Sequence, residues 1–263
     1  MLCSTCRTRP PATDDGRCLL CAGPAGAAGA PAPPFTAPQQ YLRSPDVLAK
    51  AVVVLLAVVA VADLLAVGAG VHIRSLLGGG IENGFATLDE SEADRADTLY
   101  TAAGVLQVLM TLATAVVFLL WFRRVRANAE IFDASVQPMK PGWAVGGWFV
   151  PVAGLWLPRR VAGGIWTASA QTNTDGSWRT VPQTPVNLWW GAWVISLFVG
   201  RFASQRYDRA ELPQDVMDAA AQLMVADVLD IVAAVFAILF VRKLTRMQGE
   251  RAALGVHPVG ASS

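Results

Sequence analysis

Residues 47–71 read VLAKAVVVLLAVVAVADLLAVGAGV, and this run decides the fold class. At about 1.5 Å of rise per residue, a helix of this length crosses a hydrocarbon core of about 30 Å. The chain has 263 residues, too few to wrap such a helix in a soluble core and still bury its other apolar runs. Lipid is therefore its expected surrounding. Composition agrees, with 54% hydrophobic and only 16% charged residues, where soluble domains carry about 25% charged. The net charge of +1 gives no basic field to draw in nucleic acid.

Working outward, residues 99–122, LYTAAGVLQVLMTLATAVVFLLWF, form a second span that ends at Arg123, Arg124 and Arg126. Trp121 is expected in the interfacial belt there. A third, short span covers 187–203 around LWWGAWVISLFVG, and a fourth covers 216–241 up to Arg242 and Lys243. Residues 72–98, with Gly78, Gly79, Gly80 and six acids, read as a loop. The transmembrane domain is thus placed at 47–243, with a polar tail at 244–263. Asp46 stands where an N-cap of the first span would.

Residues 141–169, PGWAVGGWFVPVAGLWLPRRVAGGIWTAS, are apolar but interrupted by Pro151, Pro158 and the pair Arg159-Arg160. Proline inside a helix removes a backbone donor and clashes with the preceding turn, so one straight span is not expected. Trp143, Trp148, Trp156 and Trp166 suit a re-entrant or interfacial helix–turn–helix at the headgroup level. If that segment returns to its own side, sixteen of the 21 Lys and Arg residues fall on one face of the membrane. That face holds both termini and is predicted to be cytoplasmic, because basic loops stay inside. Arg74, Arg95, Arg201, Arg206 and Arg209 remain outside. The expectation is an all-α, four-span bundle in the cell membrane.

The four cysteines lie within the first twenty-one residues, as Cys3-Ser-Thr-Cys6 and Cys18-Leu-Leu-Cys21. Two C-x2-C pairs make facing knuckles that suit a tetrahedral four-thiolate zinc site. Rubredoxin-like iron and disulfides are the alternatives, the latter disfavoured in a reducing cytoplasm. Four cysteine ligands leave no position for water, so the zinc would be structural. Residues 1–24 are read as a four-cysteine zinc ribbon, and 25–46, rich in Ala, Pro and Gly, as a mobile tether. The ribbon's Arg7, Arg9 and Arg17 come without stacking aromatics. A cytoplasmic protein is therefore the expected partner rather than nucleic acid.

Asp63 falls inside the first span, and Asp227 and Asp230 lie three apart on one face of the fourth. Carboxylates at such depth face a bundle interior and find partners. One reading is a cation or proton site. The preferred one is a packing role, with Arg159, Arg160, Gln107, Thr111 or the Trp189 and Trp190 indoles as partners. His72 and His257 lie far from any acid cluster, so no nucleophile–base pair is visible and an enzyme is not expected.

Pro141, Gly142, Trp143, Trp148, Pro151, Trp156 and Pro158, followed by Trp166 within IWTAS, carry a resemblance. This stretch resembles the hallmark of a bacterial membrane family catalogued as a domain of unknown function, DUF4328. Its members tend to read GWAVGWWFVPIANLWRP and then IW-x-AS. Trp189-Trp190-Gly-Ala-Trp193 and VRKLTRMQ at 241–248 are also similar to it, so the likeness covers roughly 100–250. Gly154 stands where members commonly carry Asn. The resemblance implies a multi-span membrane protein, with a zinc ribbon as a plausible accessory, and implies no substrate, activity or catalytic residue.

Overall fold

A computed structural model of the protein describes residues 2–12, 14–22, 41–83, 90–170 and 181–254. Residues 25–40 of the predicted tether, Asp89, Arg179 and the end of the tail with His257 lie outside the described residues. The chain divides into two compact units, Met1–Tyr41 and Leu42–Ser263. The regular secondary structure of the described residues is helical, without a strand. In the first unit a single helical turn, α1 (Leu19–Ala22), follows Cys18.

The second unit contains α2 (Asp46–Asn83), α3 (Glu90–Phe132), α4 (Trp143–Gly146), α5 (Leu157–Ser169), α6 (Thr184–Tyr207) and α7 (Pro213–Ala253). Among the described residues, α2, α3, α6 and α7 are the four helices long and apolar enough to cross a membrane. Their large apolar side chains face outward, and Leu64, Leu112, Phe202 and Leu239 are each more than half exposed. A water-soluble monomer rarely carries so wide an apolar surface. It is the surface that lipid covers.

All four of these helices overrun the spans expected from hydropathy. The 38 residues of α2 extend roughly 57 Å, nearly twice a hydrocarbon core. Residues 72–83, expected in a loop, continue α2 because they keep α7 as a neighbour: Arg74 donates to the Met217 carbonyl. Gly70 permits the approach, since a Cβ there would lie 2.9 Å from Cγ of Met224. Asp46 is the first helical residue rather than the N-cap, and its amide donates to the Ser44 hydroxyl at 3.2 Å. In α6, Thr184–Tyr207 gives 24 residues, about 36 Å, so the short third span reaches across after all.

The best-packed region lies at the end where α2 begins and α3 and α7 finish. Trp121, Phe122, Val125, Ile165, Trp166, Phe240 and Leu244 are buried together there. Phe240 stacks on Trp189 at 4.4 Å and on Trp166 at 6.1 Å. Trp121, expected at the interface, has no exposed surface and donates to Thr245 Oγ1 at 3.2 Å. Its burial follows from α3 running on to Phe132, where α5 and α7 share the same core. Arg126 sits in this extension, buried, paired with Glu130 at 2.7 Å and donating to the Met139 carbonyl.

The Trp/Pro-rich segment is broken, as its prolines require. After α4 the chain turns sharply at Val152, whose φ is 61°, and Ala153 donates to the Pro151 carbonyl across a three-residue turn. A 3-10 turn, Ala153–Leu155, leads into α5 with Pro158 in its first turn, where no backbone donor is missed. Trp143 and Trp156 are exposed, whereas Trp148 is half-buried and Trp166 is buried. Only part of the tryptophan set is therefore free to meet headgroups.

A hydrogen-bond clasp fastens this end. Asn128 donates to the Arg43 carbonyl at 2.8 Å and to Gln248 Oε1 at 3.1 Å, and accepts the Arg43 amide. Gln248 donates in turn to the Val125 carbonyl at 2.9 Å and to Ser169 Oγ at 3.1 Å. Gln248→Ala leaves one N–H of the buried Asn128 unpaired and removes the bonds to the Val125 carbonyl and Ser169 Oγ. The expected loss is about 1–3 kcal/mol, read as a lowered midpoint in denaturant titration of the detergent-solubilised protein.

Gly164 offers a second check, because a Cβ there would lie 2.6 Å from Cδ of Pro138 and 3.2 Å from the Val136 carbonyl. Gly164→Ala is expected to cost about 1–3 kcal/mol by overpacking. Gly191→Ala, with no neighbour within 4 Å of the new Cβ, is expected to be neutral or stabilising in the same titration.

Candidate functional site

The first unit is organised by its sulfurs. One Sγ atom from each of Cys3, Cys6, Cys18 and Cys21 lies within 4.8 Å of the others, and Cys6 approaches Cys18 at 3.7 Å. Four thiolates around one ion at about 2.3 Å stand roughly 3.8 Å apart, so the cluster fits a tetrahedral metal. All four are free thiols, which leaves the disulfide alternative without support. The local chain is shaped to deliver them. Arg7 takes a left-handed φ of 53° and its amide donates to the Cys3 carbonyl at 3.0 Å, closing the first knuckle. Gly16, at φ 78°, turns the chain back so that the Ser4 amide donates to its carbonyl at 2.9 Å.

The electrostatics of the knuckles favour thiolate at one sulfur above all. Amides of Cys6, Cys18 and Thr5 point at Cys3 Sγ and bring that thiol down to about 6. The hydroxyl and amide of Thr8 lower Cys6 as well. Cys21 is pushed up to about 12 by its hydrogen bonds to the sulfurs of Cys18 and Cys6. Crowded sulfurs hold a proton between them unless a cation takes its place, which is the behaviour of a metal-ligand set.

In the second unit the three aspartates lie on α2 and α7 and share partners from their neighbours. The Gln107 amide on α3 donates to Asp63 Oδ1 at 2.9 Å and to Asp227 Oδ1 at 3.0 Å. Asp230 lies beside Ser196 of α6, whose hydroxyl donates to the Trp193 carbonyl at 3.0 Å. Asp63 is only 3% exposed, and its Oδ2 has no hydrogen-bond partner among the described residues.

Gln107 was an expected partner. Arg159 and Arg160 are not part of the cluster: Arg159 donates to Asn187 Oδ1 at 3.1 Å, and Arg160 is exposed. Both sit in the first turn of α5, which packs chiefly on α3, α6 and α7. The Trp190 indole donates to the Leu155 carbonyl at 3.1 Å instead of to a carboxylate.

Asp63 and Asp230 border a cleft of about 330 Å³. Neighbouring helices run in the order α3, α2, α7, α6, and α3 and α6 are bridged chiefly by side chains, such as Phe118 against Trp189 at 5.7 Å. The cleft fills that gap. Phe118, Trp148, Trp189 and Trp193 form its aromatic wall, with Trp148 meeting Trp193 at 5.4 Å and 78°. Thr111 lines it but does not bond an aspartate. Sequence reasoning found the aspartates but not this wall, which exists only because the α4 segment folds back and seats Trp148 against α6. It also missed Ser196, which no local pattern marks.

The family comparison agrees with the motif. A family model described as a domain of unknown function, DUF4328, matches residues 85–246, which take in all of α3 to α6 and most of α7. The cysteine unit and α2 precede the matched region. No curated protein and no solved structure matches the chain. Over more than half its length the chain fits the family's pattern, and it belongs to the DUF4328 family.

Proposed function

We propose that the protein is a membrane-anchored binding protein, a scaffold or sensor. In this reading four helices hold it in the cell membrane while a zinc-closed cysteine unit docks a cytoplasmic protein. The observation that carries the reading is the gathering of four sulfurs within 4.8 Å in a compact unit separate from the helices. An all-cysteine shell keeps no open position for substrate or water, which supports a structural and docking role over a hydrolytic one. Zinc is favoured over iron because it demands no redox partner and accepts the tetrahedral set without strain. The predominance of Lys and Arg on the face shared by both termini supports placing them in the cytoplasm.

A second reading, passage of a small solute or ion through the bundle, is favoured by one observation: Gln107 joins Asp63 and Asp227 beside a cleft that Asp230 also borders. Two double variants separate the readings. Cys3→Ser with Cys6→Ser is expected to lower zinc from one ion per chain to none by elemental analysis of the purified protein. It is also expected to abolish recovery of the cytoplasmic partner after crosslinking in intact cells. Asp227→Asn with Asp230→Asn is expected to leave both unchanged. If the aspartate variant loses an ion-dependent flux in proteoliposomes while the cysteine variant keeps it, the transport reading replaces the docking one.

A further inference from the structure

We propose that the cleft between α3 and α6 binds an amphipathic organic cation, an amine or quaternary ammonium with a hydrocarbon tail, admitted sideways from the bilayer. The inference stands apart from the docking reading, since it concerns only the helical unit. The cleft brings two carboxyl groups, Asp63 and Asp230, to a wall of four aromatic rings, and no Lys, Arg or His is among its lining residues. Negative groups and ring faces both attract a cation, and the rings prefer a weakly hydrated organic one. A hard metal ion would need six or more oxygens. Twelve of the sixteen residues that line the cleft are apolar or aromatic, which suits the hydrocarbon of an organic cation better than a shell of oxygens and water.

One buried polar atom supports a positive ligand there. Asp63 Oδ2, in a side chain only 3% exposed that borders the cleft, lacks a hydrogen-bond partner among the described residues. A buried carboxylate oxygen without a protein partner is costly, and a positive group offsets that cost. The mouth explains the tail. Ala115 and Phe149 border the cleft and are exposed on the surface that lipid covers. A volume of about 330 Å³ suits an ammonium head and its first methylenes, with the remaining chain left along α3.

The test uses the full-length protein in maltoside micelles, whose sugar heads carry no ammonium. Decyltrimethylammonium and decanol, equal in chain length, are titrated against tryptophan fluorescence. The cation is expected to bind at least roughly tenfold more tightly than the alcohol. Asp63→Asn with Asp230→Asn is expected to remove that preference while decanol binding persists. Ala115→Phe, which fills the exposed mouth without touching a carboxylate, is expected to weaken both ligands, so the proposal stays testable if the aspartate variant does not fold.

Equal binding of the two ligands would overturn the proposal in favour of a plain acyl-chain groove. Cation binding untouched by Ala115→Phe would place the ligand elsewhere. A photoreactive residue placed at Ala115 that joins two copies of the chain in native membranes would make a neighbouring helix the occupant.

Discussion

The exchange of water for hydrocarbon around the outer faces of α2, α3, α6 and α7 is the constraint on which the rest of the structure depends. Helices satisfy their own backbone donors and acceptors, so they are the form this chain can take in lipid. Once the outer faces are free to be apolar, burial no longer drives helix against helix along the spans. That is why the spans are thinly buried, between 22% and 33% of their most apolar windows, while the densest core lies at one end. There the extended ends of α3 and α7, together with α5, enclose Trp121, Trp166 and Phe240 and tie themselves through Asn128 and Gln248.

The family motif gains a physical meaning from this arrangement. Pro151 and Pro158 break the segment, and the break lets it fold back upon the bundle. Trp148 then reaches α6, where it packs between Trp190 and Trp193. Trp166 stacks on Phe240, and Ser169, at the end of the IWTAS element, accepts from Gln248 of the VRKLTRMQ element. Two stretches far apart in sequence are thus halves of one clasp. At Gly154 a Cβ would stand 3.3 Å from the Trp148 carbonyl, so glycine relaxes a tight corner here.

Much of the architecture was legible because hydropathy reports the solvent directly. The four spans, the broken middle segment and the four-cysteine cluster each rest on local pattern: an apolar run, a proline, a C-x2-C pair. Helix ends were less legible, since the turns beyond a span are held by partners that sequence does not name, such as Arg74 on Met217. Trp121 was misplaced for the same reason. A tryptophan beside arginines reads as interfacial until the helix is seen to continue into a second core. The aspartates were found as outliers in apolar runs, and their link through Gln107 follows from one amide shared by two helices. Arg159 and Arg160 were misassigned because charge complementarity suggests pairs without fixing depth.

The account is tested most directly by placing a nitroxide, carried on a non-canonical residue so that the cysteines stay intact, at Leu112, Val232 and Arg246 in reconstituted bilayers. At Leu112 and Val232 the label should be relaxed by dissolved oxygen and shielded from a water-soluble nickel chelate, and at Arg246 the order should reverse. Equal access of the nickel chelate to all three positions would mean that water, not lipid, surrounds these helices, and the account would fail.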